Sequence, residues 1–329
     1  MARIGVIGGG AFGTAMACVV RRSGHEVLLW AREAEVVAAI NADGINQMFL
    51  PGVRIASGIR ATAELAAAVA GMDFILMAVP AQHLRSVARL MHPHLQAGTP
   101  VVTCSKGIER GSLALMPEVV AATLPQASVA VLSGPSFARE IANDLPCGVV
   151  LACGNNETAY QLSAAFRSRN FCVHPSRDVT GVAIGGVMKN VVAIASGVAA
   201  GRKLGENARA TVITLGLEES LRLGMAKGAD PATFLGLAGA GDMMLTANSL
   251  QSRNTSLGVA LGEGRKAADV LAARKEVTEG AHSAGAVVAL ARRLDVSMPI
   301  SEAVDRVLNH GADIDAAIAD LLAQPREAA

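Results

Sequence analysis

A chain of 329 residues is long enough for two domains, each with its own core. Its 29 basic side chains are balanced by 28 acidic ones, no basic run is present to track a phosphate backbone, and aromatics make up only 3%, so composition argues against a nucleic-acid partner. Five scattered cysteines, at positions 18, 104, 147, 153 and 172, suit a reducing compartment better than a disulfide framework. The opening MARIGVIGGG runs straight into a strand pattern with no signal-peptide layout, and the expected location is the cytoplasm. No CxxC, HExxH or clustered carboxylates point to a metal; His92 and His94 flank a proline and read as a surface turn.

Residues 3–7 read as a buried strand, followed at once by Gly8-Gly9-Gly10-Ala11-Phe12-Gly13 and an apolar helix over 14–20. A GxGxxG alone is weak, but between a strand and a helix it predicts a dinucleotide loop. Gly8, Gly10 and Gly13 allow a tight turn and close backbone approach, and the helix N-terminus favours a pyrophosphate. A Gly-rich turn without a ligand is the competing reading. The second strand, 27–30, ends in Ala31-Arg32 where an NAD-specific site carries an acid; Glu33 falls past the strand tip. A guanidinium there suits a 2′-phosphate, which predicts NADPH with NADH tolerated. A merely solvated Arg32 competes with that.

The alternation then continues as helix 63–70, strand 74–79, helix 81–91, strand 101–104, helix 113–123 and strand 128–132. Such alternation predicts a parallel sheet wrapped by helices, with ligands beyond the carboxyl ends of the strands. At those ends stand Val79-Pro80, Ser105-Lys106-Gly107 and Ser133-Gly134-Pro135-Ser136. The Lys106 ammonium is placed to reach a substrate oxygen. Gly134 and Ser136, before a helix over 137–142, are expected to offer N–H and hydroxyl donors. Each is ordinary turn chemistry by itself; together they mark a site.

After strands near 147–152 and 171–174 the alternation stops, and helix follows helix. The domains are therefore expected at 1–180 and 181–329. The stretch 181–210 carries Lys189 and Asn190 inside an apolar run. At helical spacing, positions 189, 193, 196 and 200 share a face and read Lys, Ala, Ser, Ala, so the ammonium stands on small residues where a backbone or ligand can come close. An ammonium in apolar surroundings is costly unless paired, which makes Lys189 an acid–base candidate. A core helix with a snorkelling lysine competes equally. A membrane span is penalised by the central Lys-Asn and the glycines.

Further on, Asn207 is placed to cap a helix from 208, and Asp230-Pro231 is a cap followed by a first turn. Asp242 and Thr246 fall at i, i+4 after Gly239-Ala240-Gly241, with an N-cap role for Asp242 as the alternative. Gln251-Ser252-Arg253-Asn254 opens a helix whose N-terminus and arginine make an anion site of phosphate size.

Taken in order, GGGAFGTA, NQMFLPG, SKGIE, SGPSFARE, GGVMKNVVAIASG, GENARA, GAGDMMLT, QSRN and VTEG resemble the bacterial NAD(P)-dependent glycerol-3-phosphate dehydrogenases over the whole length. The resemblance implies an α/β Rossmann-type parallel-sheet domain followed by an all-helical domain of the 6-phosphogluconate-dehydrogenase-like kind, with the active site in the cleft between them. It also implies a homodimer that reduces dihydroxyacetone phosphate reversibly to sn-glycerol 3-phosphate for phospholipid synthesis. Lys189 would then be the acid–base group, with Asn190, Asp242 and Thr246 orienting it and the substrate hydroxyls, so that Lys189 and Asp242 also bind substrate. Lys106, Gly134, Ser136, Ser252, Arg253 and Asn254 match substrate positions, Arg253 and Asn254 on the phosphate. Ala11, Phe12, Arg32, Lys106, Ala138, Arg253, Val277 and Glu279 match cofactor positions. Ala11 departs from the family's commoner hydroxyl residue. A ketopantoate reductase-like enzyme would not need the QSRN phosphate site, and a non-catalytic dinucleotide sensor leaves Lys106, Lys189 and Asp242 without a role.

Overall fold

The structure, a computed structural model, describes residues 1–274 and 277–323. Along the chain it runs β1 (Arg3–Ile7), α1 (Ala11–Arg22), β2 (Glu26–Trp30), α2 (Ala34–Asp43), β3 (Arg60–Thr62), β4 (Phe74–Met77), α3 (Leu84–Met91), β5 (Pro100–Thr103), α4 (Met116–Thr123), β6 (Ser128–Ser133), α5 (Ala138–Ala142), β7 (Cys147–Cys153), α6 (Asn156–Phe166) and β8 (Phe171–Ser176). Helices follow: α7 (Val179–Gly201), α8 (Glu206–Ala226), α9 (Pro231–Leu235), α10 (Asp242–Asn248), α11 (Arg253–Gly262), α12 (Ala267–Ala272), α13 (Glu279–Arg293), α14 (Pro299–Asn309) and α15 (Ile314–Ala323). The chain divides into two compact units, Met1–Lys106 with Ala114–Ala183, and Gly107–Leu113 with Ile184–Ala329.

The first unit is one eight-stranded sheet in the order β3-β2-β1-β4-β5-β6-β7-β8. Its strands are apolar on both faces. Ile4, Val6, Leu76 and Val102 join the core on one side, while Ile7, Ile75, Met77 and Val101 join the core on the other, as the two-residue period of a strand requires. The order reverses between β1 and β4, and the Gly8–Gly13 turn leaves β1 at that switch. At the β3 edge, the Asn41 amide accepts from the Ala61 N–H (2.8 Å) and donates to its carbonyl (2.9 Å), occupying groups that another strand could pair with.

Several expectations are corrected. The sheet is mixed, since β7 runs antiparallel to β6. Residues 63–70 form tight turns rather than a helix. Their bonds are mostly three residues apart (Ala68 to Leu65, Val69 to Ala66), because the eleven-residue link from β3 to β4 must also set the Ala68 carbonyl against Gly5. The α4 helix begins at Met116 rather than 113, because Leu113 has φ +61°, outside the helical region. The helix expected from 208 starts two residues earlier: α7 ends at Gly201, and α8 starts after Gly205 at φ +89°. Asn207 therefore lies inside α8 and caps nothing. The strand β3 and the helix α2 had no prediction; three residues of strand are too few for a periodic signal.

The second unit is helical and is built on α7. That helix is long and apolar enough to cross a membrane, but its most apolar window is 83% buried by protein. Small residues let its neighbours approach backbone to backbone. A Cβ on Gly258 of α11 would stand 2.1 Å from the Ile194 carbonyl oxygen, and one on Gly197 would stand 2.2 Å from the Thr255 carbonyl oxygen. One turn on, Gly262 and Gly201 repeat the contact. This is small-xxx-small packing, where only hydrogen side chains permit the crossing. Elsewhere in the unit, the buried Glu219 of α8 accepts from the Ser301 N–H (3.1 Å) and hydroxyl (2.7 Å) and from the Ile300 N–H, so it caps α14. Burial pushes its carboxyl up to about 7 against the opposing pull of those donors and of Arg222.

Two predictions follow from this packing. Gly258→Ala should lower unfolding stability by about 1–3 kcal/mol or more in urea titration, as overpacking does. Gly154→Ala, where a Cβ meets nothing within 4 Å, should stay within about 0.5 kcal/mol. For Glu219, the folded chain holds a proton that the unfolded chain has released between its ordinary value of 4.5 and about 7. Its contribution to stability is therefore full below that window and is lost as pH rises through it. In denaturation across the window, the stability of the native chain relative to Glu219→Gln should fall as pH rises; a flat difference would refute the shift.

Candidate active site

The dinucleotide loop is shaped by steric exclusion. Gly8 sits at φ +121°, where a Cβ would lie 2.7 Å from the Ala78 carbonyl oxygen. A Cβ on Gly9 would meet that of Ala31 at 2.4 Å, and one on Gly13 would stand 1.9 Å from the Gly8 oxygen. Gly10 differs: its Cβ direction meets nothing within 4 Å, so this side of the loop is open. Gly10 is also the N-cap of α1, with no side-chain cap and no acid in the first turn. The N–H groups at the start of α1, from Ala11 and Phe12 onward, therefore meet no capping side chain, and the helix dipole points its positive end at the open side. A cradle of this kind fits a pyrophosphate. Arg32 follows β2 beside the loop with a side chain 78% exposed and an ion pair to Glu33 at 2.8 Å. An exposed pair of this kind is weak, so the guanidinium is available to an anion.

Lys106 lies two residues beyond Cys104, at the carboxyl end of β5, and is partly buried. Its Nζ donates to the Gly134 carbonyl at 3.2 Å and to Ser136 Oγ at 3.5 Å, and that hydroxyl donates to the Gly134 carbonyl at 2.7 Å. So the expected juxtaposition of Lys106, Gly134 and Ser136 exists. The Gly134 carbonyl is turned inward and accepts from both the Lys106 ammonium and the Ser136 hydroxyl. Gly134 is held at φ +140° against Val149, where a side chain has no room. Ala138 opens α5 next to this turn.

In the helical unit the side chain of Lys189 is only 13% exposed, and that of Asp242 1%. Lys189 Nζ is 3.0 Å from Asp242 Oδ1 and donates to Thr246 Oγ1 at 3.0 Å; the Thr246 hydroxyl donates on to Asp242 at 3.3 Å. Asp242 is not an N-cap, because the chain enters α10 from a π turn, Leu237–Gly241. That turn lies against Gly185, where a Cβ would stand 2.3 Å from the Ala238 carbonyl oxygen. The Ser196 hydroxyl donates to the Ala247 carbonyl (2.9 Å) and that of Thr255 to the Thr246 carbonyl (2.6 Å), fixing α10 in place. The ammonium thus points into a formed cluster and does not snorkel.

Asn190, the next residue of α7, carries a second set of contacts. Its side-chain carbonyl accepts from Asn254 Nδ2 at 2.9 Å, and Asn254 Oδ1 accepts from the Gly280 N–H at 3.0 Å. This amide chain ties α7, α11 and the start of α13, which Glu279 opens just after Val277. Ser252 caps α11 through the Thr255 N–H (3.2 Å), and Arg253 stands exposed at the first helical position. Arg274, which no pattern had marked, donates to the Arg253 carbonyl (2.6 Å) and to Ser256 Oγ (3.1 Å). Among the described residues no group of His, Cys, Asp or Glu is placed to hold a metal ion.

The family described as NAD-dependent glycerol-3-phosphate dehydrogenase matches the chain in two parts, its N-terminus over residues 3–159 and its C-terminus over residues 178–319. A relative from Rhodospirillum rubrum named glycerol-3-phosphate dehydrogenase (NAD(P)+) is 52% identical over 98% of this chain and 92% of its own length. One of the same name from Parvibaculum lavamentivorans is 49% identical over 98% and 97%. The crystal structure of the glycerol-3-phosphate dehydrogenase of Coxiella burnetii has a TM-score of 0.94 at 38% identity, covering 98% of this chain and 99% of that one. A ketopantoate reductase from Ralstonia eutropha shares the fold alone, at 19% identity and a TM-score of 0.64. By both family matches and by near-full-length identity, the chain belongs to the NAD-dependent glycerol-3-phosphate dehydrogenase family.

Proposed function

We propose that the protein reduces dihydroxyacetone phosphate reversibly to sn-glycerol 3-phosphate at the expense of NADPH, with NADH tolerated. The observation that carries the reading is the Lys189–Asp242–Thr246 triangle, a partly buried ammonium held by a buried carboxylate and a buried hydroxyl. When bound, the reduced nicotinamide supplies hydride to the substrate's C2 carbon. Lys189 places its ammonium beside the carbonyl oxygen on that carbon, stabilises the negative charge that develops there and passes it a proton. The C2–O double bond becomes a C–O single bond and a new O–H bond, and the amine regains its proton from solvent. In the oxidative direction the neutral amine removes the same proton. Asp242 and Thr246 keep Nζ in one position through both states.

Lys106 is the donor at the sheet edge for a substrate oxygen, with Gly134 and Ser136 fixing its aim. Arg253, at the first turn of α11 beside the Ser252 cap, suits the substrate's phosphate, where helix N-terminus and guanidinium act together. Asn190 and Asn254 align that helix start with the lysine. The cofactor is assigned to the Gly8, Gly10 and Gly13 loop with Ala11 and Phe12, to Arg32 for the 2′-phosphate, and to Lys106, Ala138, Arg253, Val277 and Glu279. A homodimer in the cytoplasm, supplying phospholipid synthesis, completes the reading on family resemblance.

Oxidation of NADPH followed at 340 nm with dihydroxyacetone phosphate, and with ketopantoate in parallel, tests the reaction; turnover with ketopantoate alone would overturn it. Lys189→Arg keeps a cation beside Asp242 but withholds the proton. It should cut kcat by about 10²–10⁴ while dinucleotide binding stays intact, and full turnover would remove Lys189 from the chemistry. For cofactor choice, Arg32→Ala should weaken NADPH about tenfold and leave NADH almost unchanged. Equal losses would count against the 2′-phosphate role.

A further inference from the structure

The NQMFLPG motif has no role in the reaction so far, yet its first residue is fully buried against the cofactor loop. Asn46 has 0% exposure. Its Nδ2 donates to the Gly9 carbonyl at 2.8 Å and to Thr14 Oγ1 at 2.7 Å, and its Oδ1 accepts from the Phe49 N–H at 3.2 Å. Only the amide nitrogen fits between two oxygens, so the orientation follows from the partners. The loop over 46–52 is closed by a bridge between Ile45 and Arg54 and held at its far end by Arg139, which donates to the Pro51 carbonyl at 2.9 Å. Asn46 is thus a fixed buried donor and not a flexible surface amide.

The consequence follows from peptide planarity. In a trans peptide the C=O and the next N–H point in opposite directions. Holding the Gly9 carbonyl towards Asn46 therefore turns the Gly10 N–H away from the protein interior. Gly10 is the one glycine of the loop with open space beyond it. We infer that Asn46 is a positioning residue for the cofactor: by gripping the Gly9 carbonyl it aims the Gly10 N–H, and with it the first turn of α1, at a dinucleotide pyrophosphate. Thr14, in the second turn of α1, receives the other amide hydrogen and couples helix and loop to the same anchor. This rests on the dinucleotide-binding reading of the loop.

The test uses the full-length protein and separates positioning from stability. Asn46→Leu keeps the bulk and removes the donor, and its Kd for NADPH and for ADP-ribose, which carries the pyrophosphate without nicotinamide, should rise about tenfold. The cofactor KM should rise with it, while kcat at saturating cofactor and the KM for dihydroxyacetone phosphate stay within about twofold. Leu50→Ala, a buried apolar residue of the same loop, serves as the structural control; it should lower Tm but leave both Kd values near wild type. Should Asn46→Leu fail to fold, Thr14→Val carries the same test, because it is isosteric and deprives the amide of one acceptor; weaker dinucleotide binding at unchanged kcat is expected. Unchanged Kd values in these variants, or a matching rise in Leu50→Ala, would overturn the inference. Wild-type protein that binds neither ligand would instead overturn the dinucleotide reading beneath it.

Discussion

A buried charge organises the helical unit. An ammonium taken out of water is tolerated only with an opposite charge and hydrogen bonds in place, and removing one partner of such a pair costs about 3–5 kcal/mol. Lys189 and Asp242 lie on different helices, 53 positions apart in the chain. The fold must therefore bring α7 and α10 together to within an ion pair, and hold them there. Thr246 adds a donor and an acceptor one turn along α10, so the triangle is closed by helix periodicity once the first contact is made.

Glycine packing does the bringing together. At Gly185 the π turn before α10 lies on α7, and at Gly197 and Gly201 the backbone of α11 does the same. Side chains at these positions would separate the axes by the width of a methyl group or more and draw Asn254 away from Asn190. The short approach brings the start of α11 to Asn190, the residue after the lysine. The stripe of small residues below Lys189, at Ala193, Ser196 and Ala200, thus serves two purposes: it leaves room beside the ammonium, and through Ser196 it fixes the carbonyl of Ala247 in α10.

Much of this was legible because it is local. Strand, glycine turn and helix follow one another in the order that shapes a dinucleotide loop, and Asp242 and Thr246 declare their shared face by spacing alone. Lys189 stood out because a cation in an apolar helix demands a reason. The residues that passed unread act across long separations: Asn46 on Gly9, Arg274 on Arg253, Glu219 on the start of α14. Each is a side chain serving a backbone group far away in sequence, and no periodicity encodes that. The antiparallel β7 escaped for a similar reason, since an apolar strand buried on both faces carries no mark of its direction.

The alanine at position 11 fits this picture. Position 11 is the first helical residue of α1, where a hydroxyl side chain would add a contact to a phosphate. Here Gly10 supplies no side-chain cap and Ala11 no hydroxyl, so the cradle is built from backbone N–H groups alone. A backbone site is only as good as the orientation of its peptides, and glycines hold no orientation by themselves. The steric limits at Gly8, Gly9 and Gly13 leave the loop one path, and the buried amide of Asn46 fixes the peptide plane along it. With no hydroxyl at position 11, the cradle depends the more on that anchor.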